Sequence, residues 1–268
     1  MNSRNSILVP AWNPYRSMVA ELSKREVLGR YRGALLGVVW SVLAPFVMLG
    51  VYSIAFGHIL KSRWPGVDST SEFVLIIFVG LITHGFLAEC LIRAPTLVTS
   101  NPAYVKRVVF PLEILPWPLV IASAFHFLAN LLVLAIGLLV VHGAIPLTFL
   151  LAPLVFLPMA IVALGFAWWL GALSVYFRDI GQMMPVVTTA MLFISSTIMP
   201  VDLVPAEYQI YFKMNPITLI VDQLRIVTLQ GGLPDWTALS VYSALAIAFA
   251  LSGFVWFQKT RTGFADVL

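Results

Sequence analysis

Ionisable side chains are rare within the long apolar runs of this sequence of 268 residues. Glu89 and Arg93 stand four residues apart at the end of one run, a spacing that places both on one face of a helix. A charged group inside a membrane is a candidate functional residue, because its burial in hydrocarbon is costly. A Glu at the end of a span also serves as the structural partner of a nearby Arg, and we favour that interpretation. His126 and Asn130, one turn apart, are interpreted as contacts between helices.

The sequence contains no arrangement typical of a hydrolytic enzyme, such as a Ser/His/Asp set or paired carboxylates. Asp222 and Arg225 are the best candidates for an intramembrane enzyme, but their spacing of three is also that of a pair on a helix surface. The single cysteine, Cys90, excludes an intramolecular disulfide and a cysteine cluster that binds a metal. The sequence therefore predicts no catalytic residue, metal site or cofactor in this chain.

The phosphate-binding pattern Gly-x-x-x-x-Gly-Lys-Ser/Thr does not occur anywhere in the sequence. The backbone amides of that loop cradle nucleotide phosphates, so this chain cannot bind and split ATP by that route. If the protein pumps a substrate, we expect ATP and Mg²⁺ to bind to another polypeptide.

Aromatic side chains are the second group with chemical potential. The sequence has 34 Phe, Tyr and Trp residues, and several lie inside apolar runs, where a ring face could stack on the C–H face of a sugar. The candidates for such a lining are Trp40, Tyr52, Phe56 and Phe193. Contact with lipid or packing in a core explains each of them at least as well, so the aromatics alone identify no substrate.

The runs that carry these residues are long enough to cross a membrane. Hydrophobic residues make up 60% of the chain and charged residues 10%, and the mean hydropathy is +0.94. This composition excludes an ordinary water-soluble globule and a disordered chain. A spanning helix needs about 20 apolar residues. The sequence predicts an all-α membrane protein with six such helices, over residues 35–60, 73–92, 114–141, 147–175, 183–201 and 238–257.

Positive charges are distributed unequally between the two sides of these predicted spans. Twelve of the 16 Lys and Arg residues fall on the side of both termini, and four fall on the other side. Since cytoplasmic segments carry the excess of Lys and Arg, we expect both termini in the cytoplasm.

Two segments outside the spans also have helical character. Residues 17–32 predict an amphipathic helix at the membrane interface, with Glu21/Arg25 and Glu26/Arg30 as i,i+4 pairs. It could lie against anionic headgroups or dock a partner. Residues 205–214 and 216–228 are too short to span, and we expect two helices that return into the outer boundary between the fifth and sixth spans.

Four groups of residues, in register with the six predicted spans, resemble one protein family. They are Arg30-Tyr31-Arg32-Gly33 with Leu36-Gly37, Trp40 and Pro45; Asn101 with Val105-Lys106-Arg107, Phe110-Pro111, Glu113 and Pro116; Phe177-Arg178-Asp179; and Asn215-Pro216, Arg225 and Pro234-Asp235-Trp236. The pattern is similar to that of the permease subunits of polysaccharide-exporting ABC transporters of the ABC-2 type. That family includes exporters of O-antigen, capsule and teichoic acids.

The resemblance implies two copies of the chain with two ATP-binding cassette subunits on the cytoplasmic face. Residues implied to contact the ATPase are Arg30, Arg32, Asn101, Pro102, Tyr104, Lys106 and Arg107. The first and fifth spans would line the passage, with Trp40, Tyr52, Phe56 and Phe193 as lining residues, and residues 205–228 would lie at its mouth. The implied division is a cytoplasmic segment at 1–34, a transmembrane domain at 35–257 and a cytoplasmic tail at 258–268.

We therefore expect a permease subunit of the bacterial inner membrane that exports a lipid-linked polysaccharide, O-antigen before capsule or teichoic acid. A permease for a drug or simple lipid is the first alternative, because it would share the architecture. An intramembrane enzyme of glycan assembly, such as a polymerase or acyltransferase, is the alternative from a different class.

Overall fold

Apolar runs free of charge become long helices in the computed structural model, which describes residues 12–55, 64, 69–105 and 110–267. Within these ranges the regular secondary structure is helical, and no strand is formed. The protein is a polytopic all-α membrane protein, as its composition predicts.

Five helical segments are long and apolar enough to cross a membrane. They are Gly37–Ala55, Thr70–Arg93, Leu112–His142, Leu147–Tyr176 and Trp236–Gly263. Their central α-helices are α2 (Trp40–Tyr52), α3 (Thr70–Arg93), α6 (Pro116–His142), α7 (Ala152–Tyr176) and α11 (Trp236–Thr260). Five of the six predicted spans are thus confirmed as apolar helices, with residues 56–60 of the first lying outside the described ranges.

The fifth predicted span differs from the expectation. Helix α8 (Ile180–Phe193) has 14 residues and ends well before residue 201. At a rise of 1.5 Å per residue it is about 21 Å long, against the roughly 30 Å of a hydrocarbon core. Its apolar character continues past the end, but the run Ser195–Thr197 turns away from helical geometry, and the Ser195 hydroxyl donates to the carbonyl of Leu192 at 2.9 Å. Such hydroxyls offer the backbone local alternatives to a helix. Six spans remain a prediction.

The core lies between α3, α6, α7 and the helices that follow α8. Its largest fully buried side chains include Phe78, Phe127, Leu134 and Met159. The rings of Phe127 and Phe156 stack with centroids 3.9 Å apart, which joins α6 to α7. Helix α2 is different, because Ser41 is its one buried residue and most of its apolar side chains are exposed.

Helices α7 and α11 approach each other closely at two glycines. A Cβ at Gly253 would lie 2.7 Å from the carbonyl oxygen of Gly165 and 2.8 Å from the ring of Trp169. A Cβ at Gly165 would lie 2.6 Å from the ring of Phe249. The missing side chains therefore let the two backbones meet, as small residues do between helices in membranes.

Two short helices follow α8, as the sequence predicts. These are α9 (Ala206–Met214) and α10 (Pro216–Arg225), and the latter continues as a π-helical turn over Ile226–Gln230. Asn215 begins α10, since its Oδ1 accepts from the amide of Ile217 at 3.1 Å and proline occupies the first helical position.

The N-terminal helix α1 (Trp12–Arg30) begins five residues before the predicted start at 17 and ends two residues before the predicted end at 32. It packs against α6, and Val19 and Ser23 are its buried residues within the described side chains. The predicted pairs Glu21/Arg25 and Glu26/Arg30 are not found among the ion pairs of the described residues, because partners on other helices compete for these side chains.

The C-terminal tail folds back onto the bundle. A single turn, Arg261–Gly263, leads into α12 (Phe264–Val267). The buried ring of Phe264 lies edge-on to Phe257, and the hydroxyl of Tyr176 donates to the carbonyl of Thr260 at 3.0 Å. The tail is therefore packed against α7 and α11.

Candidate functional site

An ionic cluster connects the end of α1 to the end of α3. Arg30 Nη1 lies 2.8 Å from Glu89 Oε1, and Arg93 Nη1 lies 3.3 Å from the same oxygen. Arg93 also pairs with Glu26 of α1. The predicted structural pair Glu89/Arg93 is confirmed, and the structure adds two Arg–carboxylate contacts between helices. These contacts join the end of α1 to the end of α3.

Directly after α1, a polar contact reaches deeper between the helices. Tyr31 Oη lies 3.2 Å from Nδ1 of His126 on α6, so His126 contacts a neighbouring segment as the sequence predicts. Burial raises the pKa of the Tyr31 hydroxyl, and the positive charge of Arg30 opposes that shift. A cavity of about 240 Å³ lies here, and its walls include Trp40 and Asn130. The predicted lining residue Trp40 is therefore beside a polar cavity at the α1 end of the molecule.

Two single-turn helices follow α3 at the same end of the molecule. They are α4 (Thr96–Thr99) and α5 (Pro102–Val105). Asn101 Nδ2 donates to the carbonyl of Leu97 at 3.0 Å and so joins the two turns. Arg25 of α1 donates to the hydroxyl of Tyr104 at 3.3 Å, and the Tyr104 ring stacks on Phe110 at 4.3 Å.

The predicted ATPase-contacting residues that the structure describes lie in two neighbouring segments, at 30–32 and 101–104. Arg32 and Pro102 are exposed there, whereas Asn101 and Tyr104 are half-buried. Lys106 and Arg107 lie outside the described residues. We call the surface formed by α1, α4 and α5 the basal surface.

Two further contacts between distant segments of the chain have no signal in the sequence. The carboxylate of Glu113, just before α6, accepts from Arg261 Nη1 at 2.7 Å across 148 residues of chain. The hydroxyl of Ser174 on α7 donates to the carbonyl of Pro95 at 2.6 Å and so anchors the start of α4. Only an observed fold shows that these residues meet.

The candidate lining residues are distributed over two helices. Trp40 begins α2 and is 40% exposed, whereas Phe193 ends α8 and is 62% exposed. Tyr52 at the end of α2 is half-buried against the core, and Phe56 lies outside the described residues. Trp40 and Phe193 are therefore available on the surface of a single chain.

The end of α8 is held by side chains from the α9–α10 segment. Asn215 Nδ2 donates to the carbonyls of Met191 at 2.9 Å and Ile194 at 2.7 Å. Arg225 Nη1 donates to the carbonyl of Ser196 at 2.7 Å, and its Nη2 donates to that of Thr197 at 2.9 Å. These side chains satisfy carbonyls that a continued helix would have bonded internally. We call this arrangement the α8-end lock.

Arg225 is 6% exposed and makes contacts beyond the lock as well. Its Nε also donates to the carbonyl of Ile76 on α3 at 3.2 Å, and its guanidinium lies 4.5 Å from the ring centroid of Trp64. Asp222 Oδ1 lies 3.5 Å from Nη1, which confirms the predicted helix-surface pair. Burial lowers the pKa of Arg225 to about 10, so it stays charged at neutral pH. These contacts indicate a structural role for Arg225.

The chain matches the ABC-2 type transporter family over residues 19–229. The chain belongs to this family. The matched range contains the basal surface from residue 19 of α1 onward, α2 to α8, and the α8-end lock. Most of the residues that carried the resemblance lie within it, whereas Pro234-Asp235-Trp236 lie beyond its end.

Relatives within the ABC-2 type family match almost the whole chain. The O-antigen export system permease protein RfbA of Myxococcus xanthus is 24% identical over 256 residues, which cover 94% of this chain and 95% of the relative. The RfbA protein of Klebsiella pneumoniae is 21% identical over 253 residues, with the same coverage. The polysialic acid transport protein KpsM of Escherichia coli is 20% identical over 236 residues, covering 88% of this chain and 90% of the relative.

The relatives are named as an export permease and a transport protein, and the similarity covers 94% and 88% of this chain, respectively. In the ranges that the structure describes, His, Cys, Asp and Glu side chains form no group that could hold a metal ion.

Proposed function

We propose that this ABC-2 type protein is the transmembrane subunit of an ATP-driven exporter that moves a lipid-linked polysaccharide, specifically O-antigen, across the bacterial inner membrane. One observation carries the proposal. Similarity covers 94% of this chain and 95% of a relative named as an O-antigen export permease, so the likeness is not confined to one segment of the chain. The sequence supports the dependence on ATP from another subunit, because it has no phosphate loop.

Two copies of the chain form the passage in this proposal. Helix α2 contributes one buried residue to its own chain, and its exposed side chains include Trp40, Phe46 and Val47. The second wall helix in this proposal is α8, whose Phe193 is also exposed. A polar glycan needs protection from hydrocarbon, which offers it no hydrogen-bond partners. Walls from two copies, lined by Trp40, Tyr52, Phe56 and Phe193, would provide that protection.

Two ATPase subunits bind to the basal surface in this proposal. Both termini are cytoplasmic, and the segment 1–34 and the tail 258–268 flank the transmembrane domain at 35–257. The residues that contact the ATPase are Arg30, Arg32, Asn101, Pro102, Tyr104, Lys106 and Arg107. Closure of the ATPases moves α1, and the ionic cluster transmits the movement to α3. Rigid-body shifts of the spans then open the passage.

The contact of Arg25 with Tyr104 supports such coupling, since it joins α1 to α5 within one surface. Deletion of residues 94–104 would disturb the fold as well as the contact, because Ala94 and Val98 are fully buried. Substitution at an exposed position of α5 tests the coupling more cleanly.

The experiment reconstitutes the chain with its ATPase in vesicles and compares Pro102→Glu with wild type. The added carboxylate is expected to reduce glycan-stimulated ATP hydrolysis and export while the membrane assembly keeps its size. Glu207→Gln on α9, which is exposed at the far side, serves as the matched control. Undiminished export by Pro102→Glu would contradict the assignment of the coupling surface.

The substrate class is tested by comparing which compounds stimulate ATP hydrolysis. ATP hydrolysis is expected to rise with a lipid-linked glycan and to stay at its basal rate with amphipathic drugs or a simple lipid. Stimulation by the drugs alone would favour the first alternative, a drug or lipid permease. The similarity to a polysialic acid transport protein keeps a capsule substrate as the second candidate, and teichoic acid as a third, so O-antigen, capsular and teichoic-acid carriers belong in the same assay.

A further inference from the structure

An apolar groove runs between α7 and α11, and none of its lining residues belongs to α1, α4 or α5. It has a volume of about 720 Å³ and is bounded at one end by the junction of α9 and α10. The apolar side chains that line it are Val162, Phe166, Leu219, Val241, Leu245 and Phe249. The groove lies along α7 and α11, which are both long and apolar enough to cross a membrane.

Two polar side chains at the rim of the groove already have hydrogen-bond partners. Asp235 Oδ1 accepts from the amides of Thr237 at 2.9 Å and Ala238 at 3.0 Å, and Tyr242 Oη donates to the carbonyl of Pro216 at 2.8 Å. Lys213 is exposed at the rim, and no carboxylate of the described residues pairs with it within 4.0 Å. The groove thus combines an apolar floor with one available cation at its mouth.

We infer that this groove binds an anionic phospholipid of the surrounding bilayer, with an acyl chain along α11 and the phosphate at Lys213. An acyl chain matches the apolar lining, and a phosphate matches the charge of Lys213 at the end of α9. Asn215 also lines the groove and belongs to the α8-end lock. The lipid therefore contacts the segment that holds the end of α8.

The test measures lipids retained by the purified full chain after exposure to equal amounts of phosphatidylglycerol and phosphatidylcholine, using native mass spectrometry. Wild type is expected to retain phosphatidylglycerol preferentially. Lys213→Gln should lower that preference about fivefold, the effect of one basic residue at an anionic surface. Val241→Trp, at a residue that is exposed in the groove, should fill the groove and abolish retention of both lipids there.

Two control variants change exposed positions outside the groove. Lys259→Gln removes another exposed cation, and Val140→Trp adds the same ring to a residue of α6 that is 80% exposed. Both should retain lipid as wild type does. The proposal is overturned if Val241→Trp retains as much phosphatidylglycerol as wild type, or if Lys213→Gln keeps the full preference. It is also overturned if Val241→Trp converts a dimer to a monomer, because a second copy would then occupy the groove.

Discussion

At the scale of single residues, side chains from distant parts of the chain complete the backbone hydrogen bonding where α8 stops. Asn215 and Arg225 together donate to four carbonyls between Met191 and Thr197. A buried carbonyl without a donor would cost about 1–3 kcal/mol. The lock therefore removes the cost of unpaired carbonyls where α8 ends in a buried position. It also fixes the α9–α10 segment relative to α8.

Arg225→Lys tests the lock, because it keeps the charge but removes the planar fork that reaches carbonyls on two segments. We expect the free energy of unfolding to fall by about 3 kcal/mol, since each hydrogen bond to a charged group contributes about 1.5–3 kcal/mol. The measurement is thermal unfolding of the purified protein in detergent. The same change at Arg178, an exposed residue, should leave the midpoint unaltered. An equal midpoint for both variants would contradict the structural assignment.

The ionic cluster predicts a smaller and salt-dependent effect. A double-mutant cycle of Arg30→Ala and Glu89→Ala should give a coupling energy of about 0.5–1 kcal/mol, because the Arg30 side chain is 52% exposed. The coupling should decrease as salt is added, since screening weakens exposed ion pairs. Unfolding is measured by the same method at low and high salt. A cycle of Arg30→Ala with the remote Glu207→Ala should show no coupling.

At the scale of elements, apolar length predicted where helices occur but not where every helix ends. The runs at 73–92 and 238–257 are free of charges except for Glu89, and both are helical as expected. The run at 183–201 looks similar in hydropathy, yet its helix ends at Phe193. The donors that stabilise this end come from Asn215 and Arg225, more than 20 residues away. Hydropathy does not contain that information.

For α1, the spacing of charged residues along the sequence predicted the wrong ion-pair partners. The sequence predicts pairs within the helix, but Glu26 pairs with Arg93 and Arg30 pairs with Glu89. A pair four residues apart on a helix surface contributes only about 0.2–0.5 kcal/mol, so a partner on another helix can readily replace it. Spacing within α1 therefore did not predict the partners of Glu26 and Arg30.

The close approach of α7 and α11 predicts a steric effect of one methyl group. Gly253→Ala places a Cβ 2.7 Å from the carbonyl oxygen of Gly165, so the helices must separate. We expect destabilisation of about 1–3 kcal/mol, as overpacking of a core usually gives. Gly29→Ala is the matched control, because a Cβ there meets no atom within 4 Å and alanine favours a helix. Thermal unfolding of both variants makes the comparison, and equal loss of stability would contradict the packing argument.

At the scale of the whole molecule, the distribution of buried residues separates α2 from the other spans. Helices α3, α6 and α7 each bury many side chains within the chain, whereas α2 buries Ser41 alone. The composition of the sequence predicted that the chain lies in a membrane, but apolar content is the same whether a side chain faces lipid, a second copy or a substrate. The exposure of α2 required the structure.

A two-copy passage predicts that α2 lies near its counterpart. Single cysteines at Phe46, Val47, Met48 and Val51, introduced with Cys90→Ser, should form disulfide-linked dimers at some of these positions and not at others. The alternation reflects which face of α2 meets the second copy. Val140→Cys on α6 provides the exposed control and should stay monomeric on a denaturing gel. Cross-linking that is absent throughout α2 would contradict this arrangement of copies.

The bare surface of α2 also has a bearing on biogenesis. Helix α2 is synthesised before α3, α6, α7 and α11, yet these later helices bury little of its surface. In the proposed two-copy passage, α2 would be solvated by acyl chains until a second molecule of the protein diffuses into place. Assembly of the two-copy passage would thus be a bimolecular step, and its rate would depend on the square of the protein's density in the membrane. Cells that make very little of the chain should therefore accumulate folded but unassembled subunits.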